Sequence, residues 1–223
     1  MKKAIFGMGV VLALLVWTGF CGATMVVDTG APIVWPDPSV QGDPALVSNQ
    51  WLAAKFSLNR DYFINSAEGY MSQGNGSMPG VAETFSMAFY TDGGAIPGTK
   101  LFESSAIAPP LTYDTAGNAV PGWYGFSGKT LFLPAGNYWI AFEVHPGDTF
   151  NGFMAIPAAH PLPYEAWCEP SSGTYSPSNF GFGAHEADIC VRIEATPVPL
   201  PATILLLIPG FFGLTVLRGR FKK

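Results

Sequence analysis

The sequence predicts an all-β fold: a jelly-roll-like antiparallel β-sandwich between an N-terminal signal helix and a single C-terminal transmembrane helix. Three observations predict the sandwich. Apolar residues recur at every second position in several short stretches, as a half-buried strand requires. No stretch within 45–195 keeps helical amphipathicity over three turns. The 26 Gly and 20 Pro suit many tight turns better than helices.

In chain order, Met1-Lys2-Lys3 is a short basic start, and Ala4 to Phe20 is uncharged and mostly apolar. Cys21-Gly22-Ala23 places small residues at the −3 and −1 positions of a cleavage site before Thr24, so residues 1–23 read as a signal peptide. A lipid-modified Cys21 is disfavoured because Phe20 is bulky where a small residue is needed. Residues 24–45 are rich in Pro, Asp and Gly and read as an extended lead-in, with one strand around Pro32 to Trp35.

Residues 46–195 carry the sandwich. Phe85, Met87 and Phe89 alternate with Ser86 and Ala88. Tyr138, Ile140, Phe142 and Val144 share one strand face, with Trp139, Ala141 and Glu143 opposite. Ile189, Val191 and Ile193 share a third, opposite Cys190, Arg192 and Glu194. Further strands are expected at Ala53–Leu58, Leu101–Ala106, Tyr124–Ser127, Lys129–Leu133 and Phe150–Ile156. Asp92-Gly93-Gly94, Pro97-Gly98, Pro121-Gly122, Pro134-Ala135-Gly136 and Pro146-Gly147-Asp148 supply turns. Such strands, separated by turns, make a sandwich or barrel. Phe85 to Phe102 (FSMAFYTDGGAIPGTKLF) and Leu131 to Val144 (LFLPAGNYWIAFEV) resemble an arrangement found in exported bacterial choice-of-anchor proteins. That resemblance implies a sandwich and brings no catalytic residues with it.

Cys168 and Cys190 are the even pair left once Cys21 is removed. If Ile189, Val191 and Ile193 face the core, Cys190 faces outward. A disulfide to Cys168 would then staple the loop around Ala166 to Glu169 onto the last strand and contribute roughly 3 kcal/mol. Two free thiols are the alternative.

Chemistry-bearing residues are few. Glu143, His145 and Asp148 fall close together at a strand end, and His185-Glu186-Ala187-Asp188 forms a second polar cluster. Solvated strand ends account for both, and no metal or cofactor is expected. No Gly-x-Ser-x-Gly, His-Glu-x-x-His or phosphate loop occurs, so no catalytic residue is assigned and the chain does not read as an enzyme. A carboxylate pair for glycoside hydrolysis is a spatial feature that the sequence leaves open. Several aromatics, among them Tyr62, Phe63, Tyr70, Trp123 and Tyr124, fall in segments read mainly as loops. Pro161 to Gly183 reads as a binding loop, with Tyr164, Trp167 and Tyr175 as candidate sugar-stacking rings. Filling a leucine-poor core is the other role open to these rings.

The last element, residues 196–223, has three parts. Val198-Pro199-Leu200-Pro201-Ala202 is a proline-spaced entry. Ala202 to Leu217 is a largely apolar run of 16 residues, somewhat short of the ~20 that span a hydrocarbon core. Arg218, Arg220, Lys222 and Lys223 form a basic end, and snorkelling arginines close part of the gap. The basic end belongs on the cytoplasmic side. In order, spacing and terminal position this segment resembles the PEP-CTERM sorting signals of Gram-negative bacteria, in the variant with Val-Pro-Leu-Pro-Ala. It departs from the family pattern in having Leu200 where a Glu stands between two prolines. The resemblance implies an exosortase as partner, export, at least transient membrane anchoring, and association with exopolysaccharide. An ordinary C-terminal anchor is the alternative.

Both ends removed, residues 24–197 hold five basic and 16 acidic residues, a net −11 concealed by the chain's formal −5. That balance disfavours nucleic acid and anionic lipid as partners. The expected protein is an exported, non-catalytic surface or matrix component; a carbohydrate-binding module and a small glycan-active enzyme are the alternatives.

Overall fold

The structure is a computed structural model that describes residues 22–30, 32, 44–73, 83–109, 120–128, 130–157, 162–177 and 189–199. The described residues form strands and contain no helix. In chain order the strands are β1 (Thr24–Asp28), β2 (Ala45–Leu46), β3 (Trp51–Leu58), β4 (Tyr62–Gln73), β5 (Ser86–Asp92), β6 (Pro97–Glu103) and β7 (Gly122–Phe126). They continue with β8 (Leu131–Leu133), β9 (Gly136–Glu143), β10 (Gly152–Met154), β11 (Glu165–Glu169), β12 (Thr174–Pro177) and β13 (Val191–Pro197).

Two antiparallel sheets result. One has six strands in the order β12-β11-β3-β9-β5-β6. The other has seven, in the order β1-β13-β4-β10-β2, with β7 and β8 also paired to β4. The expected alternation decides which face is inward. Phe85, Met87, Phe89, Ile140, Phe142, Val191 and Ile193 are all fully buried in one cluster shared by the two sheets. Burying each of these large side chains contributes about 1.5–3 kcal/mol before chain entropy is subtracted. The fold is therefore all-β and sandwich-like. Residues Ala23–Thr196 form one compact unit, and a second, of residues 1–22 and 197–223, lies largely outside the described residues.

Several segments differ from their sequence reading, among them Tyr62–Gln73, whose rings were read mainly as loop and which forms β4. The lead-in supplies β1, which pairs antiparallel with β13, Thr24 opposite Ala195. Pro97-Gly98, expected as a turn, lies inside β6; the hairpin turns at Asp92 to Gly94, where Gly94 has φ +90° and its N–H donates to Asp92 at 2.8 Å. Pro161 to Gly183, expected as a loop, contains the β11–β12 hairpin. Ser172 N donates to the Glu169 carbonyl, and Gly173 takes φ +65° in the turn.

The expected disulfide is not formed. Cys168 and Cys190 are both buried and not joined by a disulfide. Cys168 lies on β11 of the six-stranded sheet, whereas Cys190 directly precedes β13 of the seven-stranded sheet. Cys190 is not exposed: it is fully buried, with its N–H donating to the Ala155 carbonyl and its carbonyl accepting from the Tyr70 N–H. The signal helix, the apolar tail run, and Leu200, Pro201, Ala202, Arg218, Arg220, Lys222 and Lys223 lie outside the described residues. So do His185, Glu186 and Asp188. Among the described residues no helix is long and apolar enough to cross a membrane.

Candidate functional site

The outer face of the six-stranded sheet is the less expected one. Trp139 of β9 is fully buried there, on a floor of small residues, Ala53, Ala88, Ala141 and Ala166, with Tyr90, Tyr175 and Ile96 packed against it. The alanines on neighbouring strands leave room for one indole on the side facing away from the main core.

Beside this patch, at the end of β9, Glu143 is fully buried. It was expected to be solvated. Instead Tyr90 of β5 and Tyr175 of β12 donate their hydroxyls to its Oε1, the latter at 2.8 Å. Lys100 of β6 donates to its Oε2 at 2.8 Å and to Glu103 at 2.9 Å. His145 Nε2 lies 2.8 Å from Glu143 and 3.0 Å from Glu103. Trp51 walls the group, its indole N–H on the Val144 carbonyl at 2.9 Å and its ring 4.6 Å from the His145 ring.

The electrostatics follow from this geometry. Burial pushes the Tyr90 hydroxyl well above its ordinary value of 10, and the neighbouring Glu143 carboxylate adds to the shift. Tyr175 is raised for the same two reasons. Burial alone would lower Lys100; its hydrogen bonds to Glu143 and Glu103 overcome that and raise it. Lys100 also holds the Glu103 carboxyl below the ordinary range.

Glu103, Glu143 and His145 offer three ligand atoms within 4.8 Å of one another, a spacing that a metal ion could use. The fit is poor. The Lys100 ammonium already bridges both carboxylates, and a divalent cation there would sit against a fixed positive charge. Asp148 does not join the group; its two oxygens accept from Thr84 Oγ1 at 2.9 Å and from the His145 N–H at 3.0 Å. It also lines a cleft of about 530 Å³ with Val47, Ser48, Asn49, Thr149 and Asn151. What the Glu143 group does chemically is tie β5, β6, β9 and β12 together through one buried hydrogen-bonded ionic network.

The three candidate sugar-stacking rings are not gathered on one face. Tyr164 is 53% exposed, with Lys55 Nζ 5.1 Å from its ring centre. Tyr175 belongs to the outer-face cluster around Trp139. Trp167 alternates with Ala166 and Cys168 along β11 and packs against the main core instead. Of the sorting motif, Val198 and Pro199 follow β13 directly, outside any strand.

Sequence reasoning missed the partners of Glu143. Tyr90 is the exception in signal: it follows Phe89 on β5 and so falls on the same outer face as Ala88. Lys100 and Tyr175 are contributed by β6 and β12, distant in sequence and invisible to local periodicity. No protein-family model matches this chain, and no curated protein sequence matches it either.

Proposed function

We propose that this protein is an exported, non-catalytic component of the cell envelope or extracellular matrix, sorted through its C-terminal segment by an exosortase-type enzyme. The observation that carries the proposal is the order of parts after β13: proline motif, apolar run, then Arg218, Arg220, Lys222 and Lys223 at the terminus. The basic and apolar N-terminus, followed by small residues before Thr24, supports export in the same direction. The acidic balance of residues 24–197 supports a role away from nucleic acid and anionic lipid. A coat or matrix role is also favoured by the one convergent acid pair described above. Glu103 and Glu143 are both bridged by the Lys100 ammonium, and Glu143 is shut away from solvent, which suits a structural lock better than general acid–base chemistry.

We read the two sheets as jelly-roll-like, because the chain alternates between them: β3, β5, β6, β9, β11 and β12 in one, β1, β2, β4, β7, β8, β10 and β13 in the other.

The test is fractionation and intact-mass measurement of the protein from its own host, with and without the last 27 residues. The expected mature species lacks residues 1–23 and the segment after about Pro201, and the truncated chain fails to reach the envelope. A species that keeps Arg218 to Lys223 and stays in the membrane would sink the processing claim and leave a plain tail-anchored protein.

A further inference from the structure

We infer that the outer face of the seven-stranded sheet binds a linear, non-anionic polysaccharide laid along β4, a site that does not depend on how the protein is exported or anchored. Ile64, Ala67 and Met71 of β4 are fully buried in the core, so Phe63, Asn65, Glu68 and Tyr70 face the other way. Phe63 is directly opposite Phe132 of β8, with ring centres 5.5 Å apart. Tyr70 is directly opposite Trp123 of β7, with ring centres 5.2 Å apart. The two aromatic pairs stand about 20 Å apart along the strand.

Between the pairs the face is polar. Asn65 donates to Thr196 Oγ1 at 2.8 Å, and Ser66 Oγ lies 3.4 Å from Glu194. Arg192 stacks over Trp123 at 4.0 Å while its Nε donates to Asp28 at 3.1 Å, which fixes the indole plane. Cross-strand aromatic pairs by themselves stabilise a sheet. Here Phe132 stays 47% exposed, and its three partner rings are only half-buried, so the rings still present apolar area to solvent.

Charge and layout select the occupant. Asp28 and Arg192 neutralise each other, and Glu68 and Glu194 leave the face negative within a domain of net −11. Nucleic acid and uronate-bearing polymers are repelled. A protein partner wants an apolar centre with a polar rim; this face has the reverse, rings at both ends and polar groups between. A pyranose chain matches that order. Its C–H faces pack on the rings, and its hydroxyls donate to the carboxylates and accept from Arg192. The Asn65–Thr196 and Arg192–Asp28 bonds order the strip in advance, which lowers the cost of binding.

The test is calorimetric titration of the full-length protein in detergent with three probes: a neutral β-glucan hexasaccharide, a glucosamine hexasaccharide and a galacturonate hexasaccharide. Binding of the neutral or the amino probe, with the uronate at least about tenfold weaker, is expected. Trp123→Ala and Phe132→Ala should each weaken that binding about tenfold, whereas Leu101→Ala, on the edge of the other sheet, leaves it unchanged. Phe132 is largely exposed, so its variant tests the site even if Trp123→Ala fails to fold. Absence of binding to both non-anionic probes overturns the inference. So does uronate binding of equal strength, retained affinity in Phe132→Ala, or loss on Tyr164→Ala instead.

Discussion

Replacing Lys100 by Met removes the ammonium from Glu143 and keeps most of the apolar stem. At their 2.8 Å separation the two charges attract by about 1.5 kcal/mol in water and about 6 kcal/mol at the effective dielectric near a protein surface. Stripping a partner from a buried charge costs about 3–5 kcal/mol in general. Lys100 is 32% exposed, so solvent screens part of the loss, and Tyr90 and Tyr175 still donate to the carboxylate. The expected loss is therefore about 2–3 kcal/mol, or roughly 5–10 °C in Tm for a domain of this size. Thermal melts of the wild type, Lys100→Met, Glu143→Gln and the double variant measure it. Because the two side chains share one network, the double variant should lose less than the sum of the singles by about 1 kcal/mol or more. A Tm shift below about 2 °C for Lys100→Met, or strict additivity, would falsify the picture of a buried ionic lock.

The same network makes the protein sensitive to alkali. Tyr90, Tyr175 and Lys100 all have folded-state values raised above their ordinary 10.0, 10.0 and 10.5, so the stability they confer is complete below about pH 10 and is lost as pH rises further. Tm should fall steeply above that point; a flat profile contradicts the assignment. On the acid side, Glu103 is held below 4.5, so its contribution is present above that pH and disappears as pH falls through its lower folded value. Lys100→Met should flatten this acid limb. Gly125→Ala should destabilise by about 3 kcal/mol or more, because the added Cβ would stand 1.9 Å from the Ala67 carbonyl oxygen of β4. Soluble yield and melts comparable to the wild type would refute that close approach. Peptide mapping after alkylation should find Cys168 and Cys190 as unmodified thiols until the chain is unfolded, with no mass change on reduction; a bridged peptide refutes the separation of the two residues.

What was legible depended on periodicity. Tyr138 to Val144 alternate cleanly because β9 is central in its sheet and packs against the core along its whole length. β4 was illegible although it is the longest described strand. Its buried set runs Tyr62, Ile64, then Ala67, Gly69 and Met71, a shift of phase at Asn65-Ser66 that breaks the period-two signal. Gly69 compounds this. It is a core position with no side chain, because a Cβ there would meet Phe142 and Met154 at 2.6 Å. Glu143 was assigned correctly to the outer face and wrongly to solvent. Alternation reports which side a residue takes, and cannot report that Tyr175 and Lys100, from other strands, cover that side. Cys190 failed for a related reason: it sits just before β13, where β4 and the Ala155 segment bond to both sides of its backbone.

The pairing of β1 with β13 sets how the domain bears load. The strands run antiparallel with Thr24 beside Ala195, so both chain ends leave from the same end of one ladder. Tension applied between the two ends peels that ladder one hydrogen bond at a time, as a zipper opens. Tension applied between the C-terminal end and a polymer held on β4 acts differently. β13 also lies against β4, with Thr196 beside Asn65 and Cys190 beside Tyr70. Pulling along that pair loads its hydrogen bonds together, in shear. Load between the C-terminal end of β13 and β4 is thus resisted more strongly than load that draws the ends of β1 and β13 apart.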